Sequence, residues 1–137
     1  MKIGFIGLGN VGGKLAGSLL RNDFNLTVLD LDEKLMKEFK KKGASISNTP
    51  KQLAENVDLI ITCLPSPEIC AEVMESSGGI LEGISKNKIW LEMSTTDESE
   101  VKRLGHLLSK KGGIPLDGPV SGGCHRAATG NIAIFVG

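Results

Sequence analysis

The segment KIGFIGLGNVG, residues 2–12, decides the fold of this 137-residue chain. A short apolar run at 2–6 leads into Gly7, Gly9 and Gly12, which have the spacing GxGxxG, and a helical pattern follows. Gly7 permits a tight turn, Gly9 leaves its backbone open to a ligand, and Gly12 lets a helix pack closely on the strand. The segment therefore predicts a strand, a turn and a helix that opens at the turn.

The same alternation of short apolar runs and longer helical patterns continues along the chain. Strands are predicted at residues 2–6, 26–30, 57–63, 88–92, 114–117 and 132–136, and helices at 11–22, 33–42, 50–55, 68–76 and 97–111. Strands that alternate with helices are typical of βαβ units, and near-continuous apolar runs are typical of sheets covered on both faces. We predict an α/β fold of the Rossmann type, with a doubly wound, mainly parallel sheet in three layers.

Composition and charge limit the classes of partner that this chain is expected to bind. Sixteen basic and sixteen acidic residues cancel, so no global positive field would attract nucleic acid or an anionic membrane. No apolar run approaches the roughly 20 residues needed to cross a bilayer, and the first run is too short for a signal peptide. We expect one cytoplasmic domain with no nucleic-acid or membrane partner.

Three cysteines, Cys63, Cys70 and Cys124, have no CxxC spacing. An odd number without a secretory signal argues against a disulfide framework, so they are interpreted as buried or incidental thiols. Cys124 and His125 are adjacent but lack further ligands at suitable spacing. No metal site is predicted.

An acidic residue follows the second predicted strand. Asp30 lies eighteen residues beyond Gly12, close to the separation at which an acid meets the adenosine ribose of a bound dinucleotide. Its carboxylate would accept hydrogen bonds from the ribose hydroxyls and repel a 2′-phosphate, which favours NAD over NADP. Asp32 is the other nearby acidic residue that could bind the ribose, and it is better interpreted as a helix cap. The alternative to a dinucleotide site is a glycine-rich turn that binds no ligand, with Asp30 only a residue at the end of a strand.

Further motifs extend the pattern over the whole chain: GFIGLGN at 4–10, Leu64-Pro65, Ser94-Thr95 and DGPVSGG at 117–123. Taken together, in this order, they resemble the 3-hydroxyisobutyrate dehydrogenase family of β-hydroxyacid dehydrogenases, which is related to 6-phosphogluconate dehydrogenase. The last motif is more specific to that family than the glycine turn. The resemblance implies the N-terminal NAD-binding domain of such an enzyme.

The resemblance also assigns residues to sites. Leu64 and Pro65 would lie against the cofactor, Ile69 would be a further contact, and Thr95 would reach the nicotinamide side or simply cap a helix. The complete expected cofactor set is Gly7, Leu8, Gly9, Asn10, Val11, Gly12, Asp30, Leu64, Pro65, Ile69 and Thr95.

The substrate turn implied by the family is Ser121, Gly122 and Gly123, where a hydroxyl and exposed N–H groups can hold a carboxylate. After it, Cys124-His125-Arg126 stand where relatives usually carry smaller residues, and Glu92 stands where many have aspartate. His125 and Arg126 are interpreted as part of a solvated loop. An added cation for a carboxylate or phosphate is the alternative for Arg126.

Hydride transfer from an alcohol also needs a group that takes the hydroxyl proton, and no residue of this chain is a convincing candidate. In the family it is a lysine on a helix beyond the nucleotide domain, so it would follow Gly137, within or next to an all-helical domain that also forms the homo-oligomer. We therefore expect residues 1–137 to be a truncated dinucleotide-binding domain whose parent oxidises 3-hydroxyisobutyrate or a similar small 3-hydroxy acid.

Two alternatives remain. NADP-linked reductases of tartronate semialdehyde, glyoxylate or succinic semialdehyde are similar, but members that prefer NADP commonly carry Asn-Arg where this chain has Asp30-Leu31. The second alternative is a non-catalytic nucleotide-binding module, because a fold does not determine a function.

Overall fold

The structure, a computed structural model, describes residues 1–94 and 97–136. Strands within these residues are β1 (Lys2–Ile6), β2 (Asn25–Leu29), β3 (Ser45–Ile46), β4 (Leu59–Thr62), β5 (Ile89–Glu92), β6 (Ile114–Asp117), β7 (Val120–Ser121) and β8 (Ala133–Ile134). Helices are α1 (Asn10–Arg21), α2 (Glu33–Lys41), α3 (Pro50–Asn56), α4 (Pro67–Glu75), α5 (Ile80–Gly83), α6 (Glu98–Lys110) and α7 (Gly123–Thr129).

Six parallel strands form the central sheet, in the order β3-β2-β1-β4-β5-β6. Successive side chains of a strand point to opposite faces, so neighbours such as Ile60 and Ile61 enter different cores. One core packs the sheet against α1, α2 and α7, and the other packs it against α3, α4, α5 and α6. The predicted three-layer, doubly wound α/β fold is confirmed.

Helix caps follow the predicted chemistry. Asp32 accepts a hydrogen bond from the Lys34 N–H at 2.9 Å, which confirms its interpretation as a cap. Thr49 accepts one from the Gln52 N–H at 3.1 Å, ahead of a proline in the first turn of α3. Such caps satisfy N–H groups that the helix itself cannot pair.

The strand expected at 132–136 does not join the parallel sheet. Only Ala133–Ile134 is extended, and it pairs antiparallel with β7 in a separate two-stranded sheet. The Phe135 N–H donates to the Pro119 carbonyl at 3.0 Å. The chain leaves the parallel sheet after β6, and the apolar run at 132–136 pairs with that departing segment. Exposures of 62% for Phe135 and 69% for Val136 show that apolar character here does not mean burial on both faces.

His125 and Arg126, expected in a solvated loop, instead lie with Cys124 in the short helix α7. All three are exposed there. The seven-residue helix buries only Ala127, against the core that contains α1, so its sequence has too little apolar periodicity to signal a helix.

Candidate functional site

A cleft of about 1120 Å³ opens at the carboxyl ends of the parallel strands. Its floor comes from the ends of four strands: Ile6-Gly7 after β1, Leu29-Asp30 after β2, Cys63 after β4 and Met93-Ser94 after β5. The sheet order changes direction between β1 and β4, and ligands of open α/β sheets bind at such a switch point. The location is therefore that of a nucleotide site.

The three glycines of the turn serve different needs. A Cβ on Gly7 would lie 2.1 Å from the Cys63 carbonyl oxygen, and Gly7 has a φ of +102°. A Cβ on Gly12 would lie 2.0 Å from the Gly7 carbonyl oxygen. By contrast, a Cβ on Gly9 would meet nothing within 4 Å. Gly7 and Gly12 are required by the fold, whereas the space beside Gly9 belongs to the cleft.

Helix α1 begins at this turn without a side-chain cap. The N–H groups of a helix's first turn have no partner within the helix, and together with the helix dipole they attract an anion. Asn10, Val11 and Gly12 all line the cleft at this point. The start of α1 can thus hold a pyrophosphate without a basic side chain.

Asp30 is bound to the glycine turn as well as lining the cleft. Its Oδ2 accepts the Leu8 N–H at 2.7 Å, and its Oδ1 accepts the Asp32 N–H at 2.8 Å. Each carboxylate oxygen can accept a second hydrogen bond, so capacity for ribose hydroxyls remains. Leu8 itself is 2% exposed and packs in the core, so the structure does not bring it into the cleft with the other predicted cofactor residues.

The opposite wall is the turn after β4 and the start of α4. Leu64, Pro65 and Ile69 all line the cleft, as the resemblance implies. The Leu64 N–H donates to Ser94 Oγ at 2.7 Å, which joins this turn to the end of β5. Thr95, expected on the nicotinamide side, lies outside the described residues.

The predicted substrate turn opens into the same cleft. Ser121, Gly122 and Gly123 line it, with φ of +126° at Gly122 and +75° at Gly123. A Cβ on Gly122 would lie 2.8 Å from Arg126 Cδ, so the aliphatic part of Arg126 packs against the turn. His125 and Arg126 are exposed and stand outside the cleft lining.

Glu92 stands out in the sequence only as a departure from a family aspartate. The structure places it at the end of β5, 0% exposed, with its carboxylate bound to three neighbours. Its sequence signal is weak, because an acid at the end of a strand is usually solvated.

The three thiols differ sharply in environment. Burial raises the pKa of the Cys63 thiol to about 11, and the Glu92 carboxylate acts in the same direction. Burial and Glu92 also raise the pKa of Cys70, whereas Cys124 is exposed.

In residues 1–94 and 97–136, no group of three or more His, Cys, Asp or Glu side chains is placed to hold a metal ion. None of the helices in this described part has the length and apolar character to cross a membrane.

We expect Cys124 to be the thiol that iodoacetamide modifies in the folded protein at mildly alkaline pH. Raising a thiol pKa from 9.0 to about 11 lowers the reactive thiolate fraction about 100-fold, and Cys63 falls in this class. Peptide mass spectrometry after timed alkylation would measure the three rates, with urea-unfolded protein as the control. Modification of native Cys63 as fast as Cys124 would contradict the raised pKa that partial burial and Glu92 give the Cys63 thiol.

Comparison with known proteins places the chain in a family. A family model for the NAD binding domain of 6-phosphogluconate dehydrogenase matches residues 2–137. The chain belongs to this family. It is similar to the mitochondrial 3-hydroxyisobutyrate dehydrogenase of Mus musculus, with 38% identity over 98% of this chain and 40% of the mouse protein.

Solved structures agree on the fold. The 3-hydroxyisobutyrate dehydrogenase of Mycobacterium tuberculosis superposes with a TM-score of 0.91 at 24% identity, over 99% of this chain and 46% of that one. Psf3, in complex with NADP⁺ and 2-OPP, superposes with a TM-score of 0.93 at 22% identity, over 98% of this chain and 48% of that one. This NAD-binding domain thus spans less than half the length of these relatives.

Proposed function

We propose that this chain is the NAD-binding part of a β-hydroxyacid dehydrogenase that oxidises 3-hydroxyisobutyrate or a similar small 3-hydroxy acid. The observation that carries the proposal is that one cleft joins the glycine turn, Asp30, the Leu64-Pro65 wall and the Ser121 turn. A nucleotide-binding module with no substrate has no chemical reason to keep the Ser121 turn in this cleft. The similarity to 3-hydroxyisobutyrate dehydrogenases supports the substrate class.

Each part of the cleft has a role in the proposal. Asp30 accepts hydrogen bonds from the adenosine ribose, and the first turn of α1 holds the pyrophosphate. Leu64 and Ser94, which line the cleft on the opposite side of β1 from Asp30, would hold the other half of the dinucleotide. Bound NAD would accept the hydride from the hydroxyl-bearing carbon of the substrate.

At the far end of the cleft, the Ser121 hydroxyl and the backbone N–H groups of Gly122 and Gly123 orient the substrate carboxylate. Small residues suit this task because side chains would block the approach of an anion to the N–H groups. The proposal assigns the proton-accepting group to a lysine outside residues 1–137, as the family resemblance implies.

An NADP-linked semialdehyde or glyoxylate reductase is the second candidate, since structural neighbours include complexes with NADP⁺. Against it stands Asp30, whose carboxylate would face a 2′-phosphate with like charge. Leu31 supplies no cation for that phosphate.

Purified chain mixed with NAD and 3-hydroxyisobutyrate tests this assignment. We expect saturable NAD binding, binding of the hydroxy acid to the NAD-loaded protein, and no NADH absorbance, because the proposal assigns the proton acceptor to another segment. Ser121→Ala should weaken hydroxy-acid binding and leave NAD affinity unchanged. Formation of NADH by the chain would overturn the assignment of proton transfer to another segment, and a failure of NAD to bind would overturn the proposed function.

A further inference from the structure

A buried polar cluster lies beneath the Leu64-Pro65 wall of the cleft. Thr62 and Glu92 are register partners on the adjacent strands β4 and β5, and both are 0% exposed. Glu92 Oε2 accepts hydrogen bonds from Thr62 Oγ1 at 2.7 Å and from Cys70 Sγ at 2.8 Å, and its Oε1 accepts the Ser94 N–H at 2.6 Å. Trp90 Nε1 donates to Thr62 Oγ1 at 2.9 Å.

The directions of these bonds follow from the chemistry of the groups. An indole N–H can only donate, so Trp90 occupies a lone pair of the Thr62 hydroxyl and leaves its proton for Glu92. The backbone N–H of Ser94 is also only a donor, and the Cys70 thiol donates its proton. Glu92 is consequently an acceptor at all three contacts, a pattern that a carboxylate satisfies and an amide does not.

This cluster is joined to the cleft along two routes. Glu92 binds the Ser94 N–H, and Ser94 Oγ in turn accepts the Leu64 N–H at 2.7 Å, which fixes the turn after β4. The second route runs through Cys70 on α4, the helix that also carries Ile69, Glu72 and Val73 of the cleft lining. One carboxylate thus connects β4, β5 and α4, the three elements that form this wall.

We propose that Glu92 is a positioning residue for the cofactor cleft, whose carboxylate holds the Leu64-Pro65 turn and α4 in the arrangement that receives the dinucleotide. The inference rests on the proposed function for the identity of the ligand. Glu92 itself is buried and absent from the cleft lining, so it acts through Ser94 and Cys70. Fully satisfied buried networks of this kind rigidify their surroundings, and partly satisfied ones loosen them.

Glu92→Gln tests the proposal with nearly unchanged volume. The amide NH₂ must face either the Ser94 N–H, where donor meets donor, or the Thr62 hydroxyl and Cys70 thiol, which would then have to turn their protons away from it. We expect NAD affinity, measured calorimetrically well below the melting temperature, to fall about tenfold or more. Ser94→Ala removes the acceptor for the Leu64 N–H together with a hydroxyl that lines the cleft, and we expect a fall of roughly threefold to tenfold.

A matched control separates positioning from stability. Leu108→Val removes one methylene from the core that packs α6 on the sheet, away from the cleft, and should lower the melting temperature with NAD affinity unchanged. Cys70→Ser keeps a donor to Oε2 and should retain NAD affinity, whereas Cys70→Ala should lose part of it. The only tryptophan, Trp90, belongs to the cluster, so its fluorescence reports whether the network is intact in each variant.

These measurements distinguish failure of the positioning role of Glu92 from failure of the proposed function. If wild-type chain does not bind NAD, the function fails. If wild-type binds NAD, and Glu92→Gln and Ser94→Ala bind it equally well while Trp90 fluorescence changes, the cluster is structural only and the positioning role is overturned. Equal loss of affinity in Cys70→Ser and Cys70→Ala would also contradict it, because the retained donor would then have no effect.

Discussion

Gly9→Ala should lose about 100-fold in NAD affinity while the free energy of unfolding falls by only about 1 kcal/mol, the cost of alanine at the N-cap of α1. A Cβ at this position would have no atom within 4 Å, and the backbone φ of −67° is one that alanine adopts without strain. No neighbouring atom in the described part of the protein therefore excludes a side chain there, and the N-cap preference for glycine over alanine is a small effect. The pyrophosphate does, because the added methyl group would stand between the phosphate oxygens and the first turn of α1.

Gly12→Ala is the contrasting change in the same turn. Its Cβ would lie 2.0 Å from the Gly7 carbonyl oxygen, a backbone atom that cannot move without opening the turn. We expect a loss of about 3 kcal/mol or more in the free energy of unfolding, as for other severe steric changes in a packed interior. Urea unfolding and NAD calorimetry on both variants would separate the two effects. Equal NAD affinity in Gly9→Ala and wild type would mean that no phosphate lies at the start of α1.

The second large effect is expected at Asp30. Asp30→Asn keeps the shape of the side chain but removes the charge and places an NH₂ against either the Leu8 N–H or the Asp32 N–H. Loss of hydrogen bonds to a charged group corresponds to roughly 1.5–3 kcal/mol, or about a 10- to 100-fold loss in NAD affinity. Removal of the like charge should at the same time reduce discrimination against NADP.

Asp32→Asn is the matched control for that experiment. It removes one negative charge two residues away, and asparagine caps a helix about as well as aspartate, so α2 should remain capped. NAD affinity and the preference for NAD should both stay at the wild-type level. If both variants lose NAD affinity and the preference for NAD to the same extent, the general negative charge of this edge sets the cofactor preference. A ribose contact at Asp30 would then not be its cause.

Much of the fold was predictable because its signals are local. Gly7 and Gly12 are glycines for reasons of backbone contact that the GxGxxG spacing already expresses, and Asp32 and Thr49 cap helices through bonds within a few residues. The apolar strands of a covered parallel sheet also need no partner information to be recognised.

Other features depend on contacts between distant parts of the chain. The run at 132–136 has the apolar character of a core strand, but its pairing with β7 follows from the turn at Gly118 and Pro119. Glu92 is linked to Thr62 and Cys70, which lie thirty and twenty-two residues away in sequence. No short motif indicates that these groups share a buried carboxylate, so the cluster became apparent only in three dimensions.

Within the site, the residues of the glycine turn and the family motifs were predictable as a set, and the structure brings most of them to one cleft. The separate tasks of its glycines were assigned from the GxGxxG spacing, and the space around each Cβ now distinguishes them. The second bond of Asp30, to the Leu8 N–H, was not foreseeable, because it needs the turn and the end of β2 to be adjacent.

Calorimetric titration of the wild-type chain with NAD and, separately, with NADP tests most directly whether the cleft beside Asp30 receives NAD. We expect NAD to bind with one site per chain and at least about tenfold more tightly than NADP, since the Asp30 carboxylate would face the 2′-phosphate. Failure of NAD to bind would contradict binding in this cleft, and tighter or equal binding of NADP would contradict the preference assigned to the Asp30 carboxylate.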